Sequence, residues 1–575
     1  MISSRGCLSR TFWVSVFLAA SLHDVAAQSA AGASTTATTG QRRRAPRVSD
    51  LETPAPTPKP GEVVSTPAIP LGAQPVEKSA DTTSSKGAEK KDEKTKASDA
   101  STSASEEPVV TRHTLKLSSG ALDYTATAAF LPLKNENGDT EAKVFHMFYA
   151  LGDKPEGHTT RPLVFLFNGG PGSSSIWLHM GAFGPRRARL RDDGTLPPPP
   201  YELVDNEETL LRDADLVFVD PVGSGFSRPS KPEKGKDFWG ARQDLESMSE
   251  FVRLFLVRNS RMRSALFLAG ESYGTFRAAG LTNKLLDKNI ALNGIVLVST
   301  ILDFRPQSAS RGNEVPYAIY LPTFTAAAWV HKKLPADLQR RSLNEALREA
   351  EQWAMTSYTL ALVKGAGLAP AERDAITTGL ARYTGLSPQF ITDCDQRIDE
   401  WRFRKELLRQ TRRSLSAYDA RLLAIEPHAI GDAPDYDPLL NVMGAPFTML
   451  FNDYVRNELG YKTDAEYVTI SGKANGAWDY GNPREDDFMD MTENLRRAMS
   501  RNQAMRVLVA RGLYDFATPY FAAAYTFGHL GLDPAVQANV ETTDYEGGHM
   551  MYIDKAGRQK LTNDVSGFIG KSLGR

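Results

Sequence analysis

Cysteine is scarce in this chain: its 575 residues include only Cys7 and Cys394. Two cysteines cannot build a disulfide framework, and no cluster of histidine and cysteine has the spacing of a metal site. A chain of this length can instead bury a large hydrophobic core, which stabilises a domain without cross-links. We therefore expect a fold that depends on its core, with neither a metal nor another cofactor.

An excess of charge of either sign is also lacking. The 68 lysines and arginines nearly balance the 69 aspartates and glutamates, so the formal net charge is −1. Proteins that bind nucleic acid usually carry a basic excess, and the rest of the composition is near that of an average globular protein. These features argue against a nucleic-acid partner.

The N-terminus carries an apolar run that is too short to cross a membrane. The run Thr11–Leu22 has fewer than the roughly 20 residues that a spanning helix needs. It follows Arg5 and Arg10, and small residues precede Gln28, which is typical of a secretory signal. We predict that residues 1–27 are a signal peptide, with an uncleaved anchor as the alternative. The mature chain would then be exported, periplasmic or secreted, with no stable membrane span.

Residues 28–108 are nearly devoid of aromatic side chains and are rich in Ser, Thr, Ala, Pro, Lys and Glu. Such a composition cannot bury enough apolar surface to offset the entropy that is lost on ordering. We predict a disordered linker there. A pro-segment and a tether to the cell envelope are functions that the composition leaves open. The folded domain is predicted to span residues 109–575.

The spacing of apolar residues changes after the linker. Alternation with a period of two, in Thr114–Leu117 and Lys143–Tyr149, is typical of antiparallel strands. Short and nearly continuous apolar runs follow, as expected for strands that are buried on both faces of a mostly parallel sheet. These runs are Leu163–Phe167, Leu216–Val219, Ala265–Ala269, Ile295–Val298 and Val507–Ala510.

Helical stretches such as Ala241–Val257 and Arg277–Leu286 separate these runs. The predicted fold class is therefore α/β, with a mostly parallel central sheet that is covered by helices. Between about residues 303 and 478 charged amphipathic segments such as Ala336–Lys364 and Gln396–Arg413 replace the strand pattern. We predict a helical insertion there, and its position near the ends of the strands makes it a candidate lid.

The segment Gly270–Gly274 reads GESYG, a GxSxG pattern between a predicted strand and a helical stretch. This context is typical of a nucleophile elbow, in which a serine stands in a sharp, strained turn and glycines avoid collisions with the strand and the helix. The pattern alone is a weak signal, and its placement makes it informative. Ser272 is therefore the predicted nucleophile.

A serine nucleophile needs a histidine to take its proton and a carboxylate to orient that histidine. In α/β-hydrolases the acid and then the histidine follow the serine, on loops after late strands. Asp515 follows the last apolar run, and His549 lies in a Gly-rich loop near the C-terminus. We predict Ser272, Asp515 and His549 as the catalytic triad. The alternatives are an ordinary turn residue for Asp515 and a structural role for His549.

The glycine-rich segment Asn168–Ser175, NGGPGSSS, follows an early predicted strand and can bring backbone amides close to a ligand. An oxyanion hole needs two N–H donors where charge develops on the attacked carbonyl oxygen. The amides of Gly170 and Tyr273 are the predicted pair. A simple turn is the alternative, and a phosphate loop is a weaker one because the Lys-Ser/Thr ending is missing.

These motifs together resemble those of the serine carboxypeptidases, a family with the α/β-hydrolase fold. Four blocks match in order, and they lie within residues 113–575. The blocks are Asn168–Ser175, Asp220–Ser227 (DPVGSGFS), Gly270–Thr275 (GESYGT) and the pair around Asp515 and His549. The resemblance implies release of C-terminal amino acids from peptides with a free C-terminus, through an acyl-enzyme.

The resemblance also implies roles for further residues. Asn168 and Glu271 match the residues that bind the terminal carboxylate of the substrate. A carboxylate beside another carboxylate repels it unless one keeps its proton, so we expect an acidic pH optimum. Gly169 and Met550 are further candidate contacts. Apart from the resemblance, Arg186 or Arg187 could supply a positive partner for a terminal carboxylate, with a solvated surface position as the alternative.

Three positions depart from the family pattern: Leu166 stands in place of a tryptophan, Ser173 in place of a cysteine and Ala182 in place of an acid. Part of the family's carboxylate-binding network is therefore absent. The same triad also serves esterases and acyltransferases, which remain the main alternative. A non-catalytic binding protein of the same fold is a further alternative.

Overall fold

A computed structural model describes residues 107–152, 160–310, 312–480 and 489–575, which belong to one compact unit. The predicted signal peptide, residues 1–27, and nearly all of the predicted linker, residues 28–108, lie outside the described residues. These two assignments and the domain boundaries therefore stay predictions.

The described residues form one ten-stranded sheet and two short two-stranded hairpins. The strands are β1 (Val109–Leu117), β2 (Gly120–Lys134), β3 (Thr140–Leu151), β4 (Leu163–Phe167), β5 (Arg186–Ala188), β6 (Leu203–Asp205), β7 (Asp215–Val219), β8 (Arg228–Pro229), β9 (Leu266–Ser272), β10 (Gly294–Thr300), β11 (Arg413–Leu415), β12 (Leu423–Ile425), β13 (Arg506–Gly512) and β14 (Val540–Tyr545). The order in the large sheet is β1-β2-β3-β7-β4-β9-β10-β13-β14, with β8 paired to β3.

The sheet is antiparallel at one edge and parallel elsewhere. The pairings along β1-β2-β3-β7 are antiparallel, as is the pairing of β8 with β3, and the pairings along β7-β4-β9-β10-β13-β14 are all parallel. The five apolar runs of the sequence lie in β4, β7, β9, β10 and β13. This confirms the predicted α/β class, and the chain has the α/β-hydrolase fold.

Both faces of the parallel strands are apolar, which explains their continuous apolar runs. Along β4, Val164 and Leu166 belong to the core on one face, and Leu163, Phe165 and Phe167 belong to the core on the other. All five side chains are at most 1% exposed. Burial on both faces makes the strands a rigid support for the loops at their carboxyl ends.

Fifteen α-helices lie within the described residues. They are α1 (Ala241–Arg258), α2 (Tyr273–Asp287), α3 (Val315–Val330), α4 (Ala336–Gln339), α5 (Leu343–Trp353), α6 (Thr359–Lys364), α7 (Pro370–Thr384), α8 (Pro388–Asp393), α9 (Glu400–Glu406), α10 (Pro438–Asp453), α11 (Gly472–Gly476), α12 (Thr492–Arg501), α13 (Tyr520–Gly528), α14 (Pro534–Gln537) and α15 (Lys555–Ser572). None of these described helices combines the length and the apolar character that crossing a bilayer requires.

Helices cover the sheet on both sides. Side chains of α1, α2 and α12 pack on one face, and those of α10 and α15 pack on the other. Helices α3 to α9, between β10 and β13, contribute to a third apolar core that also includes Tyr514 and Phe516. The helical region is therefore packed against the loop that carries Asp515.

The segment Gln396–Arg413 is less helical than its amphipathic pattern predicts. Only α9 is α-helical there, and Asp395 and Gln396 adopt positive φ angles of 50° and 59°. Two basic residues of α9 are buried: Arg404 pairs with Glu400, and Lys405 pairs with Glu426 beside β12. The charged residues thus make specific ion pairs instead of forming the exposed face of a long helix.

Candidate active site

Ser272 stands at the junction between β9 and α2. Its φ of 59° and ψ of −130° lie in a region that non-glycine residues rarely adopt. The flanking glycines leave the room for this turn. A Cβ atom at Gly270 would lie 2.0 Å from the carbonyl oxygen of Gly274, and one at Gly274 would lie 2.5 Å from the carbonyl oxygen of Phe167. The GxSxG pattern is thus explained by direct backbone contact.

Asp515 and His549 are brought together by adjacent parallel strands. Asp515 follows β13 and His549 follows β14, and these strands pair in parallel, so the loops after them meet at one edge of the sheet. Nδ1 of His549 lies 2.8 Å from Oδ2 of Asp515, and both side chains are buried. This is the geometry of a carboxylate that orients an imidazole.

Thr518 adds a second partner to this acid. Its hydroxyl donates to Oδ2 of Asp515 at 2.6 Å and lies 3.2 Å from Nδ1 of His549. Its backbone amide donates to Oδ1 of Asp515 at 3.0 Å. Both carboxylate oxygens are therefore held in place.

The backbone of His549 is fixed as well. Its amide donates to the carbonyl of Tyr418 at 2.5 Å, and its carbonyl accepts from the hydroxyl of Ser299 at 2.6 Å. The Tyr418 ring meets the imidazole edge-on at 5.2 Å between centroids. Burial lowers the pKa of His549, but the negative charges of Asp515 and Glu271 outweigh this effect and leave its pKa above the ordinary value.

The glycine-rich segment after β4 lies directly against the elbow. A Cβ atom at Gly169 would lie 2.6 Å from the amide nitrogen of Tyr273 and 2.8 Å from Cβ of Ser272. Gly170 has a φ of 102°, which favours glycine. Tyr273 is also the first residue of α2, where backbone N–H groups have no helical partner. The two segments can supply the two amides of an oxyanion hole.

The block Asp220–Ser227 holds the glycine-rich block Asn168–Ser175 in place through hydrogen bonds. Oδ1 of Asp220 accepts from the amide and the hydroxyl of Ser175, both at 2.9 Å. Gly225 has a φ of 50°, and a Cβ atom there would lie 1.7 Å from Oδ2 of Asp220. Asp220 is buried, and burial raises its pKa to about 6. The DPVGSGFS block therefore anchors the glycine-rich loop and does not meet the substrate site itself.

Asn168 and Glu271 lie together at a buried corner of the site. Oδ1 of Asn168 accepts from the amide of Leu178 at 3.1 Å, whereas its Nδ2 is buried and has no hydrogen-bond partner among the described residues. Oε2 of Glu271 accepts from the hydroxyl of Tyr552 at 2.5 Å. Burial raises the pKa of Glu271 to about 7. The corner thus offers an unused donor beside an acid that keeps its proton in mildly acidic solution.

These residues surround a cavity of about 360 Å³. The predicted site residues that line it are Asn168, Gly169, Gly170, Glu271, Ser272, Tyr273, His549 and Met550. Asp515 is fully buried, where it contacts His549. Apolar side chains such as Trp177, Leu440, Ile470 and Phe304 complete the walls. Residues between β10 and β13 therefore help to enclose the site.

Arg186 does not line this cavity, so its position does not support its candidate role as a substrate contact. It lies in β5, and its guanidinium pairs with Asp205 and with Glu458, the latter at 2.8 Å. Its charge is thus already satisfied by two carboxylates. At the positions that depart from the family pattern, Leu166 and Ala182 are buried in the apolar core, and Ser173 accepts from Nε1 of Trp177 at 3.1 Å.

Thr518, Tyr552, Tyr418 and Ser299 were not identified from the sequence. Thr518 carries the only local signal, since a hydroxyl three residues after an acid can reach back to it. Tyr418 and Ser299 reach His549 from distant parts of the chain, and Tyr552, three residues after His549, contacts Glu271 281 positions away. Within the described residues no group of three or more His, Cys, Asp or Glu side chains is arranged to hold a metal.

Comparisons with known proteins agree with this geometry. A sequence model of the serine carboxypeptidases matches residues 135–563. Serine carboxypeptidase-like 45 of Arabidopsis thaliana is 28% identical over 217 residues, which cover 35% of this chain and 44% of the relative. Pheromone-processing carboxypeptidase KEX1 of Saccharomyces cerevisiae is 30% identical over 173 residues, 28% of this chain and 22% of the relative. The chain thus aligns with less than half of each of these relatives.

Solved structures give weaker similarities. A thermostable carboxyl esterase from Bacillus coagulans is 12% identical with a TM-score of 0.33, and the match covers 78% of this chain and 99% of the esterase. A soluble variant of monoglyceride lipase from Saccharomyces cerevisiae is 11% identical with a TM-score of 0.33, over 77% of this chain and 96% of the lipase. The fold assignment rests on the sheet described above.

Proposed function

The chain belongs to the serine carboxypeptidase family, and on that premise we propose that it releases amino acids from the C-termini of peptides through an acyl-enzyme on Ser272. The observation that carries this proposal is the buried corner beside the nucleophile. Asn168 offers a buried Nδ2 without a partner, and Glu271 offers an acid with a pKa near 7, in the cavity that Ser272 and His549 also line. The C-terminal carboxylate of a peptide has two oxygens, and each can accept a hydrogen bond from one of these two groups.

In the first half-reaction the neutral imidazole of His549 takes the proton of the Ser272 hydroxyl while Oγ bonds to the carbonyl carbon of the last peptide bond. The amides of Gly170 and Tyr273 stabilise the oxygen that becomes negative. The C–N bond then breaks, and the imidazolium returns the proton to the leaving amino group. Asp515 holds the imidazole in the required tautomer throughout.

In the second half-reaction a water molecule attacks the ester on Ser272. His549 takes a proton from the water, the same two amides stabilise the oxyanion, and the proton passes to Oγ as the ester bond breaks. The products are the shortened peptide and the regenerated serine. The strained turn at Ser272 keeps its hydroxyl exposed in the cavity for both steps.

The corner selects for a free C-terminus. Nδ2 of Asn168 can donate to one oxygen of the terminal carboxylate, and protonated Glu271 can donate to the other. Burial raises the pKa of Glu271 to about 7, so the acid is neutral below that pH and becomes repulsive above it. Substrates without a terminal carboxylate do not require Glu271 to be protonated.

The direct test uses N-blocked dipeptides with free or amidated C-termini and the purified chain, beside a Ser272→Ala variant. We expect cleavage of the free acid only, and no turnover by the variant beyond the background rate. If a simple ester is hydrolysed through Ser272 while neither dipeptide reacts, the triad stands and the peptide substrate is wrong. An esterase or acyltransferase activity would then replace the proposed carboxypeptidase activity.

The same substrates give a pH signature. For the free acid, kcat/KM should fall as the pH rises through about 7, because Glu271 loses its proton. For an N-blocked ester without a carboxylate the fall should be absent. Both substrates should lose activity at acid pH, where His549 becomes protonated. Equal loss for both substrates above pH 7 would contradict the assignment of Glu271.

We also propose that the chain is exported, to the periplasm or the medium, with residues 1–27 removed. The support is Arg5, Arg10 and the apolar run Thr11–Leu22 in the sequence. N-terminal sequencing of the exported protein should begin at Gln28, and an intact N-terminus in the membrane fraction would contradict this.

A further inference from the structure

Tyr552 lies three residues after His549, in the turn that precedes α15, and it is fully buried. It does not line the cavity. Its ring packs against Gly181, where a Cβ atom would lie 2.7 Å from Cε2 of the ring. The tyrosine is therefore held in place by tight packing and cannot act by direct contact with the substrate.

The hydroxyl of Tyr552 contacts Glu271, the acid beside Asn168 in the candidate carboxylate site. It donates to Oε2 of Glu271 at 2.5 Å, a short distance for a bond between buried side chains. Glu271 itself lines the cavity, next to Asn168. Oε2 of Glu271 is thus occupied by the tyrosine hydroxyl, and Oε1 is the oxygen that remains to bind a ligand.

A carboxyl group that is to donate its proton must carry that proton on the correct oxygen. When Oε2 is engaged as an acceptor, the proton of the neutral acid is favoured on Oε1. Without the tyrosine hydroxyl, the acid can rotate or place its proton on either oxygen. The hydroxyl also stabilises the ionised form, so it holds down the pKa that burial raises.

We propose that Tyr552 is a positioning residue of the carboxylate site: its hydroxyl fixes Oε2 of Glu271 so that Oε1 carries the proton that is donated to the terminal carboxylate of a peptide. This inference rests on the proposed carboxypeptidase function and adds to it a residue that acts through Glu271. Its effect is confined to substrates that have a free C-terminus.

The test is the variant Tyr552→Phe, assayed on an N-blocked dipeptide acid and on an N-blocked ester. For the acid substrate we expect KM to rise about tenfold at the pH where the wild-type protein is most active, since one hydrogen bond to an acid is lost, with kcat nearly unchanged. The alkaline limb of kcat/KM should move to higher pH because the pKa of Glu271 rises. For the ester neither parameter should change. An unchanged KM and an unmoved limb would overturn the proposal.

A double-mutant cycle with Glu271→Ala separates action through the acid from general disturbance. In that background Tyr552→Phe should change KM by less than about twofold, because the two residues act as a unit. If the two effects simply multiply, the proposal is wrong. The matched control is Tyr383→Phe. It removes the hydroxyl of a buried tyrosine in α7 that donates to Glu349 of α5 at 3.0 Å, and it should leave kcat and KM unchanged for both substrates.

A second variant covers the case in which Tyr552→Phe fails to fold. Gly181→Ala keeps the hydroxyl but places a methyl group against the tyrosine ring, so the ring must shift. The same rise in KM for the acid substrate is expected, and a normal KM would count against the proposal. A wild-type protein that cleaves esters but no dipeptide acid would instead refute the carboxypeptidase function, which keeps the two failures distinct.

Discussion

The residue with the most direct hold on the candidate triad is Thr518. Its hydroxyl donates to the same oxygen of Asp515 that lies 2.8 Å from Nδ1 of His549. Such a bond withdraws negative charge from that oxygen and weakens its pull on the imidazolium proton. Thr518 therefore limits how far the pKa of His549 is raised, and it keeps the carboxylate from turning.

The variant Thr518→Val should show this effect, because valine has nearly the shape of threonine without the hydroxyl. The pKa of His549 should rise further, and a histidine must be neutral to act as a base. The acid limb of kcat/KM should therefore move to higher pH, and a pKa that is higher by about 1 would reduce activity on that limb about tenfold. The pH–rate profile of the variant measures the change. Thr518→Ser, which keeps the hydroxyl, is the matched control, and the same limb in all three proteins would contradict the argument.

At the scale of elements, the glycine-rich loop after β4 owes its position to other segments. Asp220, directly after β7, accepts a hydrogen bond from the amide of Ser175. Arg277, which is paired with Asp244 in the core, donates to the carbonyl of Asn168 at 2.8 Å. Glycines give this loop its freedom to approach Ser272, but they also make it costly to order. The hydrogen bonds with Asp220 and Arg277 offset the conformational entropy that the loop loses when it is ordered.

Replacing the anchor tests this argument. Asp220→Ala leaves the buried amide and hydroxyl of Ser175 without a partner, so the free energy of unfolding should fall by about 3 kcal/mol. Since Gly170 lies in the same loop, kcat should fall at least tenfold even at a temperature where the variant is folded. Denaturant unfolding and steady-state kinetics measure the two effects.

The surface offers a matched control for this variant. Asp193 makes the same two contacts with Thr195, to its amide at 2.9 Å and to its hydroxyl at 2.6 Å, but in an exposed turn. Asp193→Ala should change neither stability nor kcat appreciably. If Asp220→Ala behaved like Asp193→Ala, the loop would not depend on its buried anchor.

At the scale of the whole molecule, the region between β10 and β13 contributes to the candidate active site. The turn between β11 and β12 supplies Tyr418, whose carbonyl binds the amide of His549. Arg421 in the same turn joins Asp419 at 2.7 Å, Asp554 at 3.1 Å and the carbonyl of Glu546 at 2.9 Å. The turn and the histidine loop are therefore clamped together from both sides of His549.

Loss of this clamp should affect catalysis and stability together. Arg421→Met keeps the length of the side chain but leaves Asp419, 1% exposed, without its charged partner, while the backbone amide of residue 421 still donates to it. Because Arg421 itself is partly exposed, we expect a loss of about 2 kcal/mol of stability, with a several-fold lower kcat. Thermal unfolding and kinetics at one temperature are the measurements. Arg402→Met, which breaks a pair with Asp399 in α9's first turn, is the control and should leave kcat unchanged.

Local sequence determined much of the architecture. The apolar runs that became β4, β7, β9, β10 and β13 are recognisable because burial on both faces favours apolar residues at successive positions of a strand. Gly270 and Gly274 could be interpreted because the turn around Ser272 excludes any Cβ atom there. The order of Ser272, Asp515 and His549 follows the order of the strands that carry them. Such features depend on neighbours within a few residues, so a single sequence displays them.

The tertiary structure alone decided the residues that reach the site from afar. Tyr552 and Glu271 are 281 positions apart, and nothing near either one signals their contact. Arg186 has the charge of a carboxylate ligand, yet the fold gives it Asp205 and Glu458 as partners. Gln396–Arg413 has an amphipathic pattern, yet only α9 is α-helical there, and its Arg404 and Lys405 are buried in ion pairs with Glu400 and Glu426. Pairing of distant polar groups depends on how the whole chain packs, which no local pattern records.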